Sequence, residues 1–142
     1  MALEIRKAAV LGAGVMGSGI AAHLANAGIE VFLLDVVPEK LAAEEKKAGL
    51  TLESPRVRSR LALRGVENAR RARPPAFYDG DDAALIRCGN LEDHLKWLAG
   101  ADWICEAVVE NLKIKAAVFE AVARHRKAGS IVSSNTSGIF VR

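Results

Sequence analysis

The chain has 142 residues, 51% of them hydrophobic and 26% charged, with a formal net charge of +3. That length supports one domain with a real core, and the balance is ordinary globular chemistry. The charge is too small and too mixed to argue for nucleic acid. No run of about 18 apolar residues could span a membrane, and MALEIRKAAVL has no signal-peptide pattern, so a cytoplasmic protein is expected.

The first predicted strand runs from about Arg6 to Leu11 and stops at Gly12. Gly12, Gly14 and Gly17 follow at G-x-G-x-x-G spacing. A helix from about Val15 to Ala27, with Ile20, Leu24 and Ala27 on one face, is expected to stop at Gly28. A second apolar run, Val31 to Leu34, ends on Asp35. This is strand, glycine turn, helix, strand and acid within one βαβ unit. In such a unit the first glycine permits the turn, the second lets a pyrophosphate approach the backbone, and the third lets helix and strand pack closely. The phosphates would face free N–H groups at the helix N-terminus. Asp35 stands where an acid accepts hydrogen bonds from ribose hydroxyls, and its charge would repel a 2′-phosphate, so NAD is preferred over NADP. Candidate cofactor-binding residues are therefore Gly12, Ala13, Gly14, Val15, Met16, Gly17 and Asp35. The competing reading is a tight βα turn that binds nothing.

Pro38 suits the first turn of a next helix, with Lys46 and Lys47 near its end and Gly49 to close it. Residues 50–75 form an insertion that a standard crossover does not need. Ser54–Pro55 signals a helix start, Val57, Leu61 and Val66 a loose apolar face, Gly65 a weak point and Pro74–Pro75 an end. Seven arginines and one glutamate lie between Arg56 and Arg73. Two readings stand: a solvated helical face, or a basic surface for an anionic ligand, since arginine forks match phosphate.

Phe77 to Ala83 reads as loop and Ala84 to Cys88 as a third strand. Asn90 would cap a helix with Asp93 three residues on, Leu91, Leu95 and Leu98 giving its face and Gly100 its end. Trp97 reads as core or edge packing. Asp102 to Val109 is a fourth strand, apolar enough to be covered on both faces and broken only by Glu106. Asn111 would cap a helix whose face is Ile114, Ala117, Val118, Ala121 and Val122, stopped by Gly129. Ser130 to Ser134 is a fifth strand, followed by the loop Asn135 to Gly138. Cys88 and Cys105 form no C-x-x-C and read as buried free thiols, and no metal site is expected.

This alternation predicts an α/β fold, a doubly wound parallel sheet of Rossmann type in the order 3-2-1-4-5, with the helical insertion after the second strand. Ligands bind such sheets beyond the strand C-termini, at the switch between the first and fourth strands. Gly12–Gly17, Asp35, Val109–Asn111 and Asn135–Ser137 all fall at that edge.

With these residues placed, the chain resembles the NAD-binding domain of 3-hydroxyacyl-CoA dehydrogenases. VLGAGVMGSGIAAHLANAGIEVFLLD is similar to the family's opening, and EAVVENLKIK (106–115) and SSNTSGI (133–139) resemble its two other signatures, in the same order. The resemblance covers nearly the whole chain and extends to the excursion after the second strand, which in the family helps hold coenzyme A. It implies that Gly12 to Gly17 hold the pyrophosphate and Asp35 the adenosine ribose. It further implies that Glu110 and Lys115 contact the cofactor on the nicotinamide side. Asn135 and Ser137 would lie near the reacting carbon, Ser137 hydrogen-bonding the substrate oxygen. Lys115 could instead be a solvated first-turn lysine, Asn135–Ser137 plain turn chemistry, and Glu106 a strand-end residue without a catalytic part.

In the resembling family a histidine in a G-x-H-F-F-N-P-type segment, with a later glutamate, performs the proton transfer. His23, His94 and His125 do not match it and read as surface or packing residues. The chain is therefore expected to be the NAD-binding part of a longer enzyme, lacking a sixth strand and a C-terminal catalytic and dimerisation domain. The fragment would bind NAD without turnover. The whole enzyme would be a homodimer oxidising an acyl-CoA substrate, L-3-hydroxyacyl-CoA, to the 3-ketoacyl-CoA in fatty-acid β-oxidation. Alternatives are a relative acting on 3-hydroxybutyryl-CoA or a sugar acid, and a nucleotide-sensing module without catalysis.

Overall fold

The computed structural model describes residues 4–108 and 111–134. Five parallel strands form one sheet: β1 (Lys7–Leu11), β2 (Glu30–Asp35), β3 (Ile86–Asn90), β4 (Trp103–Glu106) and β5 (Ile131–Ser134), in the order β3-β2-β1-β4-β5. This is the expected doubly wound order. Helix α1 (Val15–Asn26) covers one face and α5 (Leu112–His125) the other. Successive β1 residues point to opposite faces, so Ala8 and Val10 join one core, with Ala21, Ala25, Val31 and Leu33. Ala9 and Leu11 join the other, with Leu34, Leu98, Ile104, Val118 and Val122. The central strands β1, β2 and β4 are covered on both faces, which is why they read as near-continuous apolar runs.

Helix α1 ends before Gly28, whose φ of +82° gives the expected left-handed stop. Asn111 caps α5, its side-chain oxygen accepting from the backbone N–H groups of Lys113 and Ile114 at 3.0 and 3.3 Å. The face of α5 differs from expectation at one place: Ala117 is exposed, and Lys115 is buried beside Val118 and Val122.

Three other expectations need correcting. The helix expected from Pro38 begins only at Ala43, as α2 (Ala43–Lys47). The Lys40 carbonyl accepts from the Arg60 guanidinium at 3.2 Å instead of entering a helical ladder. The third strand is shifted toward Asn90, because Gly80–Leu85 forms a 3-10 helix whose N-cap, Asp79, accepts from Asp81 N–H. The α-helix expected after Asn90 is a tight turn followed by a 3-10 helix over Leu95–Gly100. There the Asn90 side chain accepts from the N–H groups of Glu92 and Asp93, and His94 Nδ1 accepts from Asn90 N–H at 2.9 Å. Such local bonds compete with a helical ladder. Trp97 is edge packing as expected, against Phe32 and His94, with the Arg87 guanidinium 4.4 Å from its ring centre.

The insertion folds as α3 (Pro55–Arg58) and α4 (Arg60–Arg71), and α4 lies across α1. Gly65 is not a weak point of α4. A Cβ there would stand 2.7 Å from the Ala13 carbonyl oxygen and 2.3 Å from Ser18 Oγ, so the residue is the contact itself.

Candidate functional site

The glycine turn leaves β1 gripped from both neighbouring strands. Gly12 N–H donates to the Leu34 carbonyl and Ala107 N–H to the Leu11 carbonyl, each at 2.7 Å. Gly12 has φ +106°, and a Cβ on it would meet the Ala107 carbonyl oxygen at 2.5 Å. A Cβ on Gly17 would stand 1.7 Å from the Gly12 carbonyl oxygen. These two glycines are fixed by packing within the protein. Gly14 is different, because a Cβ there meets nothing within 4 Å. It is also the N-cap of α1, with no side chain to bond the first N–H groups of the helix. An open backbone surface thus lies at the positive end of a helix 12 residues long. That is the cradle a pyrophosphate needs, and the residues present fit one. Val15 and Met16, on the same first turn, are 92% and 59% exposed.

Asp35 closes the other side. Its Oδ2 accepts from Ala13 N–H at 2.8 Å and its Oδ1 from Val36 N–H at 2.7 Å. A carboxylate has about four lone-pair sites, so acceptor capacity remains for a pair of hydroxyls. Asp35, Ala13, Gly14, Val15 and Ser18 border a cleft of about 540 Å³ whose far wall is α4, with Arg64 and Asn68.

At the end of β4 the apolar run is broken by a fully buried charge. Glu106 is 0% exposed and Lys115, from the first turns of α5, is 3% exposed. The Lys115 ammonium donates to both Glu106 oxygens, at 3.0 and 2.8 Å, and to the Val108 carbonyl at 3.3 Å. Glu106 also accepts from Val108 N–H and Ser134 Oγ, each at 2.7 Å. Burial alone would raise the Glu106 pKa, but the bonds from Lys115, Ser134 and Val108 outweigh it and the net shift is downward. The carboxylate is held ionised. Lys115 is thus not a solvated first-turn lysine. The signal was present in the sequence as a single acid inside an apolar strand, since a buried charge demands a partner. The partner's distance along the chain was not legible.

The candidates Glu110, Asn135 and Ser137 lie outside the described residues. Of their described neighbours, Asn111 is the N-cap of α5 and Ser134 is the last residue of β5. Asp35, the turn and the buried pair form one row along the C-terminal edge of the sheet, over β2, β1 and β4.

Two arginines of the run are structural. Arg58 makes a two-pronged pair with Asp93, at 2.7 and 3.0 Å, and Arg60 pairs with Glu45. Both fasten the insertion to the rest of the domain. Arg70 and Arg71 pair with Glu67 on the solvated face of α4. Arg56 and Arg64 border a second groove that also carries Glu44, Glu45 and Glu67. Of the histidines, His23 is exposed, His94 bonds Asn90 and His125 Nδ1 bonds the Ala121 carbonyl. Cys88 and Cys105 are free thiols; burial pushes Cys88 up to about 11. Among the described residues no three metal-ligating side chains are grouped, and no helix is long and apolar enough to cross a membrane.

Comparison with known proteins agrees with this geometry. A probable 3-hydroxyacyl-CoA dehydrogenase of Bacillus subtilis is 56% identical over 139 residues, which are 98% of this chain and 18% of that protein. One of Deinococcus radiodurans is 50% identical, over 96% of this chain and 36% of its own length. The chain therefore spans about a fifth to a third of these relatives. Among solved structures, the 3-hydroxybutyryl-CoA dehydrogenase of Escherichia coli K12 superposes with a TM-score of 0.62 at 26% identity, over 96% of this chain and 26% of that one. The family model for the 3-hydroxyacyl-CoA dehydrogenase NAD-binding domain matches residues 7–142, and the chain belongs to that family.

Proposed function

We propose that this chain is the cofactor-holding part of an NAD-dependent enzyme that oxidises L-3-hydroxyacyl-CoA to 3-ketoacyl-CoA, the hydride step of fatty-acid β-oxidation. The observation that carries the reading is the open backbone over Gly14 at the uncapped N-terminus of α1, with the Asp35 carboxylate pinned beside it. The cofactor is NAD, as the family states. When bound, NAD supplies the hydride acceptor. The chain's residues do the rest of the holding. Gly12 to Gly17 hold the pyrophosphate: Gly12 and Ala13, their own N–H groups bonded to Leu34 and Asp35, fix the turn, and Gly14, Val15, Met16 and Gly17 present theirs to the phosphates. Asp35 accepts from the adenosine ribose and excludes a 2′-phosphate by charge. Glu110 and Lys115 serve the nicotinamide side, and Asn135 and Ser137 stand near the nicotinamide and the reacting carbon, Ser137 hydrogen-bonding the substrate oxygen.

The proton-accepting histidine and its glutamate, and the contacts of a homodimer, belong in this reading to sequence outside these 142 residues. Acyl-CoA is the substrate partner, and the compartment is the cytoplasm. The direct test is an NADH fluorescence titration of the chain beside its Asp35→Ala variant. Saturable NADH binding that weakens tenfold or more in the variant supports the reading. Equal affinity in both refutes the ribose assignment, and no binding by the parent chain refutes the function.

A further inference from the structure

The buried ion pair at the end of β4 touches more of the site edge than its two residues. Glu106 is the last residue of β4, and its side chain turns back to accept from Val108 N–H at 2.7 Å. Lys115 takes the Val108 carbonyl from the other side at 3.3 Å. One peptide segment is thereby fixed through its N–H and its C=O by one ion pair. Ser134, the end of β5, donates to the same carboxylate at 2.7 Å. Ala107, between Glu106 and Val108, abuts the glycine turn: a Cβ on Gly12 would meet its carbonyl oxygen at 2.5 Å and one on Gly17 its Cβ at 3.6 Å. The carboxylate thus ties the end of β4, the end of β5 and the start of α5, and through Ala107 it buttresses the turn.

A dinucleotide crosses an open sheet at the switch between β1 and β4. Its adenosine half belongs to the β2 side, where Asp35 stands. Its other half belongs to the β4–β5 side, where this ion pair stands. We infer that Glu106 is a positioning residue for the nicotinamide half of NAD: paired with Lys115, it sets the loop after β4 and the end of β5 against which that half lies. The inference rests on the NAD-binding reading above. A well-packed hydrophobic pair of similar volume is often no less stable than a buried ion pair, so stability alone does not account for the charged pair. Its hydrogen bonds fix two backbone atoms and a hydroxyl, which apolar side chains cannot do.

The test compares ligands that span the whole site with ligands that occupy one half. Affinities of the chain for NADH, by fluorescence, and for AMP, by competition, are measured for the parent, Glu106→Gln and Ser134→Ala. Positioning predicts that Glu106→Gln weakens NADH about tenfold and Ser134→Ala about threefold, with AMP affinity unchanged in both. NADH affinity unchanged in folded variants overturns the inference. So does equal weakening of NADH and AMP, which would mark a general structural loss. Should Glu106→Gln not fold, Ser134→Ala decides alone, since it removes one hydroxyl and leaves the ion pair intact. No NADH binding by the parent chain would instead refute the underlying function.

Discussion

Two helix glycines should respond to alanine with opposite signs. Gly65 lies inside α4 and Gly19 inside α1. Propensity alone makes Gly→Ala stabilising by about 1 kcal/mol at either place. At Gly19 a Cβ meets nothing within 4 Å, so that gain should be realised. At Gly65 the Cβ would stand 2.7 Å from a backbone carbonyl oxygen, 2.3 Å from Ser18 Oγ and 3.1 Å from the Ala13 Cβ. The hydroxyl can rotate away, at the loss of its 2.8 Å bond to the Ala13 carbonyl, worth about 1 kcal/mol. The carbonyl cannot, because Asp35 holds the Ala13 N–H and the turn is packed on both sides. Helix α4 must therefore lift from α1, an overpacking cost of about 1–3 kcal/mol. Set against the propensity gain, the net is a loss of about 1–3 kcal/mol. For a domain this size that lowers Tm by roughly 3–5 °C per kcal/mol. Urea unfolding of the parent, Gly19→Ala and Gly65→Ala reads both signs. A Gly65→Ala variant as stable as Gly19→Ala would refute the close-approach argument and restore Gly65 to a weak helix position.

Replacing Lys115 by Met leaves the Glu106 carboxylate buried without its cation and should cost about 3–5 kcal/mol in urea unfolding; a cost below about 1 kcal/mol would mean that the pair contributes little. Asp102 is held at about 2 by the Lys127 ammonium and by the N–H groups of Arg6 and Lys7. A carboxyl with a depressed folded pKa contributes stability that is present above its unfolded value, about 4, and is lost as pH falls toward 2. Thermal melts from pH 5 to pH 2 should therefore show a smaller loss for Asp102→Asn than for the parent, and parallel curves would contradict this. Asn111→Ala should cost about 1 kcal/mol by removing the cap of α5, checked by the same unfolding curves.

What was legible in the sequence follows from the range of the interaction involved. The strands themselves, the stop at Gly28 and the cap at Asn111 are set by neighbours in the chain, and hydrophobic runs with punctuating residues report them; the strand order follows from the strand–helix alternation with right-handed crossovers. The departures arise where a distant side chain intervenes. Arg60 takes the Lys40 carbonyl and delays α2, and the Asn90 side chain captures the peptides that a helix would have used. Gly65 shows the same limit, since its small size answers to Ala13 and Ser18 rather than to its own helix. Lys115 shares the i, i+3, i+7 face of Val118 and Val122, where a lysine is out of place by type, and only Glu106, on β4, explains its burial.

The turn from Gly12 to Gly17 is then better understood as clamped than as free. Strand β2 holds it through the Leu34 carbonyl and the Asp35 carboxylate. The end of β4 holds it through Ala107, and α4 presses on Ala13 through Gly65. Ser18 closes the ring by bonding the Ala13 carbonyl. Three of these contacts converge on Ala13, the one non-glycine residue between Gly12 and Gly14. A cradle so fixed has its N–H groups aimed before any anion arrives, so the cost of ordering them falls on folding and not on binding. It follows that Asp35 has two duties that no single substitution separates, shaping the turn through Ala13 and facing the ribose. The helical insertion, which a plain crossover would omit, is part of the same clamp.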